Sequence, residues 1–247
     1  MMSKPRLHAP DSSDEMRESL HRRMLSSVSH DLKTPLATII GSLEIYQRMQ
    51  EKLTLEKKEA LINSCLNEAY RLDCFITNIL DMAKLESNAV TPRREWCDID
   101  YLLHDCIIRL GPKREQCDIS IQPSNGASKK ALADPMLLGR AVSLLLDNAI
   151  KYGGKTAVKM EYGDENDAFF IRVRDHGPGI PDGKEEEIFA KYIRYHHADY
   201  QNAGTGLGLS ICRELMRLLG GKVQAGNHPS GGAIFTLSYP QELERVL

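Results

Sequence analysis

The sequence predicts an α+β fold, in which an N-terminal helical hairpin dimerises into a four-helix bundle and is followed by an α/β sandwich domain. Three observations predict it. Two long segments carry apolar residues at steps of three and four, the mark of amphipathic helices. From Trp96 onward the pattern changes to short alternating strands mixed with helices. The length of 247 residues, with 42% apolar and 27% charged residues, suits a soluble globular chain with room for two modest domains.

Composition also excludes some classes. A formal net charge of -2 gives no basic footprint, which argues against a nucleic-acid binder held by phosphate neutralisation. Six cysteines (Cys65, Cys74, Cys97, Cys106, Cys117 and Cys212) are scattered without a Cys-x-x-Cys pair, so neither a zinc site nor a disulfide framework is indicated, and reduced thiols are expected. The polar N-terminus lacks a signal-peptide core and no run reaches the length of a membrane span, so a cytoplasmic location is expected.

In chain order, residues 1–14 read as a disordered lead, 15–90 as the hairpin, 95–240 as the second domain and 241–247 as a tail. The first helix, about Glu15 to Met49, carries a stripe of Leu25, Val28, Leu32, Leu36, Ile39, Leu43 and Tyr46 and runs through Pro35, which should bend it. After a polar turn at 51–54, a helix from about Leu55 to Ser87 repeats the pattern at Ile62, Leu66, Ala69, Leu72, Ile76, Ile79 and Ala83. Two helices make a thin core, and pairing with a second copy buries their stripes best, which predicts a symmetric homodimer. Pro92 ends the hairpin. A helix is expected near 100–110, strands near 117–122 and 130–133, and a helix from Asp134-Pro135, an N-cap aspartate with proline at the first helical position, to about Tyr152. Strands near 155–161 and 168–175, a loop-rich stretch to Ala203, a helix near 207–219 and strands near 222–225 and 233–239 complete the domain.

Four places carry candidate chemistry. His30 lies off the stripe, since two residues turn a helix by about 200°, so its imidazole faces solvent with a nitrogen lone pair available for attack. Asp31 can bond the other ring nitrogen, and Thr34, four residues on, shares the His30 face and can hold a water. On the helix after Pro135, Leu144, Asn148 and Lys151 share a face, offering an amide oxygen suited to Mg²⁺ and an ammonium suited to phosphate. Asp175 ends an alternating strand and is followed by Gly177 and Gly179, which permit close backbone approach to a ligand, with the carboxylate able to accept from adenine's amino group. Gly204-Thr205-Gly206-Leu207-Gly208-Leu209 opens a helix whose amides can cradle phosphates. It lacks the third glycine and preceding strand of the Rossmann fingerprint.

Taken together, residues 15 to 240 resemble the catalytic core of bacterial sensor histidine kinases. Val28–Pro35 resembles the family's H box, Leu145–Tyr152 its N box, Asp175–Gly179 its first glycine box, Ile188–Arg194 its F box and Gly204–Leu209 its second glycine box, in family order. Leu80–Lys84, Glu95-Trp96 and Gly231–Phe235 look most like the potassium-responsive sensor kinases. The resemblance implies a histidine-kinase/GHKL-type ATP-binding domain that uses ATP and Mg²⁺ to phosphorylate His30, with Asp31 as acid/base partner, and a response-regulator receiver domain whose aspartate takes the phosphoryl group. It implies that Thr34 supports dephosphorylation of that partner and that Asn148 holds Mg²⁺. It gives the phosphates to Lys151, Arg194 and the amides of Gly204, Gly206 and Gly208, and the adenine to Asp175, with Tyr152 and Phe189 lining the site. A mobile lid is implied over about 182–203. The family commonly has a second asparagine where this chain has Leu144, which leaves a water in the metal shell. A nucleotide-binding scaffold without autophosphorylation is the alternative; an ATP-hydrolysing clamp of related fold leaves the His30 hairpin unexplained.

Overall fold

Helix α1 (Ser12–Met49) and helix α2 (Leu55–Glu86) form the hairpin, joined by a turn in which the Lys52 and Leu53 amides both donate to the Met49 carbonyl. The computed structural model describes residues 12–87, 89–111, 114, 117–154, 156–165, 168–193 and 206–240, with 12–30 described by their helical backbone alone. Residues 1–11 of the expected lead, the tail over 241–247, Arg194, Gly204, Thr205 and residues 194–203 of the expected lid lie outside the described residues. Thr54 caps α2, its hydroxyl accepting from the Lys57 amide. Helix α1 runs through Pro35, which is buried, and the Thr38 hydroxyl donates to the Thr34 carbonyl within that turn. Cys65 of α2 reaches the Ile39 carbonyl of α1 at 3.7 Å. The expected stripes are only partly covered: Leu36, Leu43, Ile62, Leu66 and Ile76 are all about half exposed, while Ser42 and Phe75 are buried.

Two compact units divide the chain after Ile76, inside α2. The second unit therefore includes the last turns of α2, where Met82 and Leu85 enter its core. Arg140 fixes them, its Nε donating to Asp81 Oδ2 and its Nη2 to Asn78 Oδ1, each at 2.8 Å.

The elements after α2 are β1 (Glu95–Asp98), α3 (Ile99–Arg109), β2 (Ile119–Pro123), β3 (Lys130–Ala133), α4 (Pro135–Tyr152), β4 (Val158–Glu165), β5 (Ala168–Arg174), a 3-10 turn (Glu187–Phe189), α5 (Gly208–Leu218), β6 (Lys222–Asn227) and β7 (Ala233–Pro240). Strand β1 is absent from the sequence expectations; it forms by antiparallel pairing with β3. The main sheet has the order β2-β4-β5-β7-β6, antiparallel except for the β2–β4 pair. In β5 and β7, Phe169, Ile171, Val173, Phe235, Leu237 and Tyr239 turn inward, alternating with Arg172, Arg174, Thr236 and Ser238. Helices α3, α4 and α5 supply the facing layer: Cys106 of α3 meets the Gly139 carbonyl of α4 at 3.4 Å, and Cys212 of α5 meets that of Ala141 at 3.8 Å. Burial pushes the Cys212 thiol up to about 12, so it packs as a small apolar group. Asp134 caps α4 as the sequence predicts, its Oδ1 accepting from the Met136 and Leu137 amides at 3.0 Å, while Oδ2 takes the Arg93 amide at 2.8 Å.

Candidate nucleotide site

Asp175 leaves the end of β5 almost wholly buried, at 2% exposure. Its amide donates to the Ala233 carbonyl at 3.0 Å, and its Oδ1 accepts from the amides of Gly177 (2.9 Å) and Ala233 (3.0 Å). A buried carboxylate is costly unless its lone pairs find donors, and here one oxygen is satisfied twice by backbone. Oδ2 has no protein donor among the described residues. The carboxylate can thus offer an acceptor to a ligand without giving up the bonds that hold it. Gly177 is required next to it: a Cβ there would stand 2.2 Å from the Tyr152 carbonyl oxygen. The loop is thereby seated against the end of α4.

At that end of α4 lie Asn148, Lys151 and Tyr152, all half-buried. The Lys151 ammonium donates to the Tyr152 hydroxyl at 2.9 Å and stands 4.5 Å from its ring centre. Asn148 makes no side-chain hydrogen bond among the described residues, so its amide oxygen is available as a hard ligand. Leu144 shares the Asn148 face by angle but not by exposure, being 6% exposed in the core. A Cβ on Gly208 would lie 3.7 Å from its Cδ2, so it packs beneath the start of α5. At this position the structure therefore shows hydrocarbon packing.

Gly206, Leu207 and Gly208 form the entry to α5. Leu207 is the N-cap residue with its side chain buried in the core, and among the described residues no side chain caps the helix. The Ser210 hydroxyl donates to the Leu207 carbonyl instead, leaving the first amides of the helix without an intrahelical partner. The Gly206 carbonyl accepts from the Tyr192 amide at 2.9 Å, and Tyr192 adopts a φ of 66°, rare for a bulky residue. The Tyr192 hydroxyl is buried without a partner among the described residues, and burial followed by the nearby Glu86 carboxylate pushes its pKa up. Beside it, Lys191 pairs with Glu86. Phe189 is 2% exposed, edge-on to Phe235 and covered by the Arg213 guanidinium at 4.5 Å; its contacts are those of a core residue.

In the first unit, His30 occupies a helical position whose side chain lies outside the described residues. Asp31 is half-buried and Thr34 exposed one turn further on. Two supports of the loop after Asp175 escaped the sequence reading. One is the Ala233 backbone, and the other is Asn227, whose amide bonds both backbone groups of Ile180. Among the described residues no group of three or more His, Cys, Asp and Glu side chains is placed to hold a metal ion.

Residues 133–243 match the family model described as histidine kinase-, DNA gyrase B- and HSP90-like ATPase, and residues 20–88 match the His Kinase A (phospho-acceptor) domain. The chain is 31% identical over 233 residues to the sensor protein KdpD of Escherichia coli, covering 92% of this chain and 25% of that protein. It thus spans about a quarter of the length of that curated relative. Full-length ShkA, solved in complex with AMPPNP, superposes with a TM-score of 0.62 at 25% identity, over 89% of this chain and 46% of ShkA. The histidine kinase ThkA, solved in complex with the response regulator TrrA, gives a TM-score of 0.68 at 24% identity, over 94% of this chain and 65% of that one, a likeness of fold.

Proposed function

Because this chain belongs to the sensor histidine kinases, we propose that it binds ATP beside Asp175, phosphorylates His30 and passes the phosphoryl group to an aspartate of a response-regulator receiver domain. The observation that carries the reading is the Asp175 carboxylate, held by two backbone amides on one oxygen and without a donor among the described residues on the other. Adenine's exocyclic amine is a donor that matches the open oxygen. The phosphates would run toward Lys151 and the entry to α5, with Arg194, Gly204 and Thr205 contributing from the segment before it. Leu207 supports that entry from the core.

The imidazole lone pair of His30 attacks the γ-phosphorus, the bond to the β–γ bridging oxygen breaks, and ADP leaves with those electrons. Asp31 takes the ring proton. Mg²⁺, held by Asn148 together with water and phosphate oxygens, would offset charge on the transferring group. The unengaged Asn148 amide fits that role. Thr34 would position water for the reverse duty, hydrolysis of the phosphorylated receiver. The apolar ridge left exposed on the hairpin supports a homodimer, and the ATP supply favours the cytoplasm. No helix among the described residues is long and apolar enough to cross a membrane.

Incubation with γ-labelled ATP tests the reading. The wild type should acquire acid-labile, alkali-stable label, and His30→Ala should acquire none while binding ATP with nearly unchanged affinity, because nucleophile and nucleotide site lie on separate units. Label retained by His30→Ala would refute the assignment.

A further inference from the structure

We infer that Asn227 is a positioning residue for adenine recognition: from edge strand β6 it fixes the backbone of Ile180, and through it the loop that carries Gly177 and Gly179 away from Asp175. The inference rests on the adenine reading of Asp175 given above. The segment after β5 joins no sheet, so its backbone donors and acceptors need other partners. At Ile180 a single side chain supplies both. Asn227 Oδ1 accepts from the Ile180 amide and its Nδ2 donates to the Ile180 carbonyl, each at 2.7 Å. Among side chains of this size only an amide presents a donor and an acceptor side by side. Asparagine therefore imitates one rung of a β-ladder where the chain has no strand.

The register gives this rung its meaning. Asn227 is paired across the β6–β7 hairpin with Ala233, whose backbone exchanges bonds with Asp175. One cross-strand pair therefore brackets the loop, Ala233 holding its first residue and Asn227 its last. Ile180 is 8% exposed, so its apolar side chain pins the same point into the core. Gly179 is matched to this arrangement: its φ is +81°, and a Cβ there would stand 2.6 Å from Asn227 Oδ1. Asn227 itself is exposed, and both its side-chain bonds run to the backbone of Ile180. It acts through Ile180, so its removal should loosen the placement of the adenine pocket while leaving the core and the phosphoryl-transfer residues intact.

The test uses the full chain with ATP and GTP, since guanine carries an oxygen where adenine carries the amine that Asp175 would bond. Calorimetry should show the wild type preferring ATP. Asn227→Ala, which removes both bonds, should weaken ATP binding by about tenfold with a smaller effect on GTP, and should raise KM for ATP with kcat little changed. Asn227→Asp keeps an acceptor for the Ile180 amide but loses the donor, and should fall between. Wild-type affinities equal for ATP and GTP would overturn the adenine reading and the inference with it. A wild-type preference retained in full by Asn227→Ala would overturn the inference alone. So would equal losses for both nucleotides alongside a lowered melting temperature, the mark of a merely structural role.

Discussion

Asp175→Asn separates binding from folding more cleanly than any other change at the site. The substitution keeps the shape of the side chain and replaces one oxygen by an amino group. The Gly177 and Ala233 amides both point at Oδ1, so the new side chain must keep its oxygen there, because an amino group facing two donors would leave three buried N–H groups opposed. The amino group is therefore forced into the open Oδ2 position. There it meets the adenine amine donor to donor. A hydrogen bond to a charged group contributes about 1.5–3 kcal/mol, and its loss weakens ATP binding by about 10- to 150-fold. Stability should change little, since the two backbone bonds persist. Asp175→Ala is the contrast: it leaves both amides without an acceptor and should lose about 1–3 kcal/mol of stability as well as binding. Titration calorimetry with ATP, paired with thermal melts of both variants, reads the two effects separately. An Asp175→Asn protein that melts like the wild type and binds ATP with unchanged affinity would refute the reasoning.

The other expectations are shorter to state. Leu144→Asn should cost about 1–3 kcal/mol by placing an amide in the core, and the Mg²⁺ concentration for half-maximal autophosphorylation should not fall; a fall with an unchanged melting temperature would show that the position faces the metal after all. Thr34→Ala should autophosphorylate normally but lose phosphatase activity toward the phosphorylated receiver, and equal phosphatase rates would remove Thr34 from that role. Arg140→Ala should cost about 1–2 kcal/mol, because the Asp81 and Asn78 groups it bonds are shielded but not fully buried. Hydrogen exchange in the last turns of α2 should then quicken, and exchange at the wild-type rate would mean that Met82 and Leu85 hold those turns without it.

What was legible in the sequence was local. The Asp134-Pro135 start of α4, the alternation of β5 and the Asp175-His176-Gly177-Pro178-Gly179 turn each announce themselves within a few residues, and each stands where it was expected. Strand β1 did not announce itself, because Glu-Trp-Cys-Asp has no apolar alternation and its partner β3 lies some 35 residues away. The supports of the nucleotide loop escaped for the same reason: Asn227 and Ala233 come from a hairpin roughly 50 residues downstream. Leu144 shows a different limit. Helical spacing fixes the angle of a side chain about the axis, but α4 lies under the sheet on one side and beside α3 and α5 on others, so Leu144, Leu146 and Ile150 are buried along with the expected stripe.

Helix α2 carries the same lesson into the proposed assembly. Phe75, Met82 and Leu85 are its buried residues, and at 100° per residue they fall within an arc of about 80°. Ile62, Leu66, Ile76 and Leu80 are 45–53% exposed and fall within a second arc of about 80° on the opposite side. The helix therefore has two apolar faces, of which its own chain covers one. On α1, Leu36, Ile40 and Leu43 are exposed to a similar degree. Covering a fully exposed side chain of this kind contributes about 1.5–3 kcal/mol, so finishing the burial of a half-covered one contributes about 1. Seven such residues from each of two copies give roughly 14 kcal/mol, against about 4–15 kcal/mol for the lost freedom of two bodies. The balance favours association without making it irreversible, so the proposed homodimer should dissociate on dilution, and a polar residue at Leu66 or Leu43 should shift that dissociation to higher concentration.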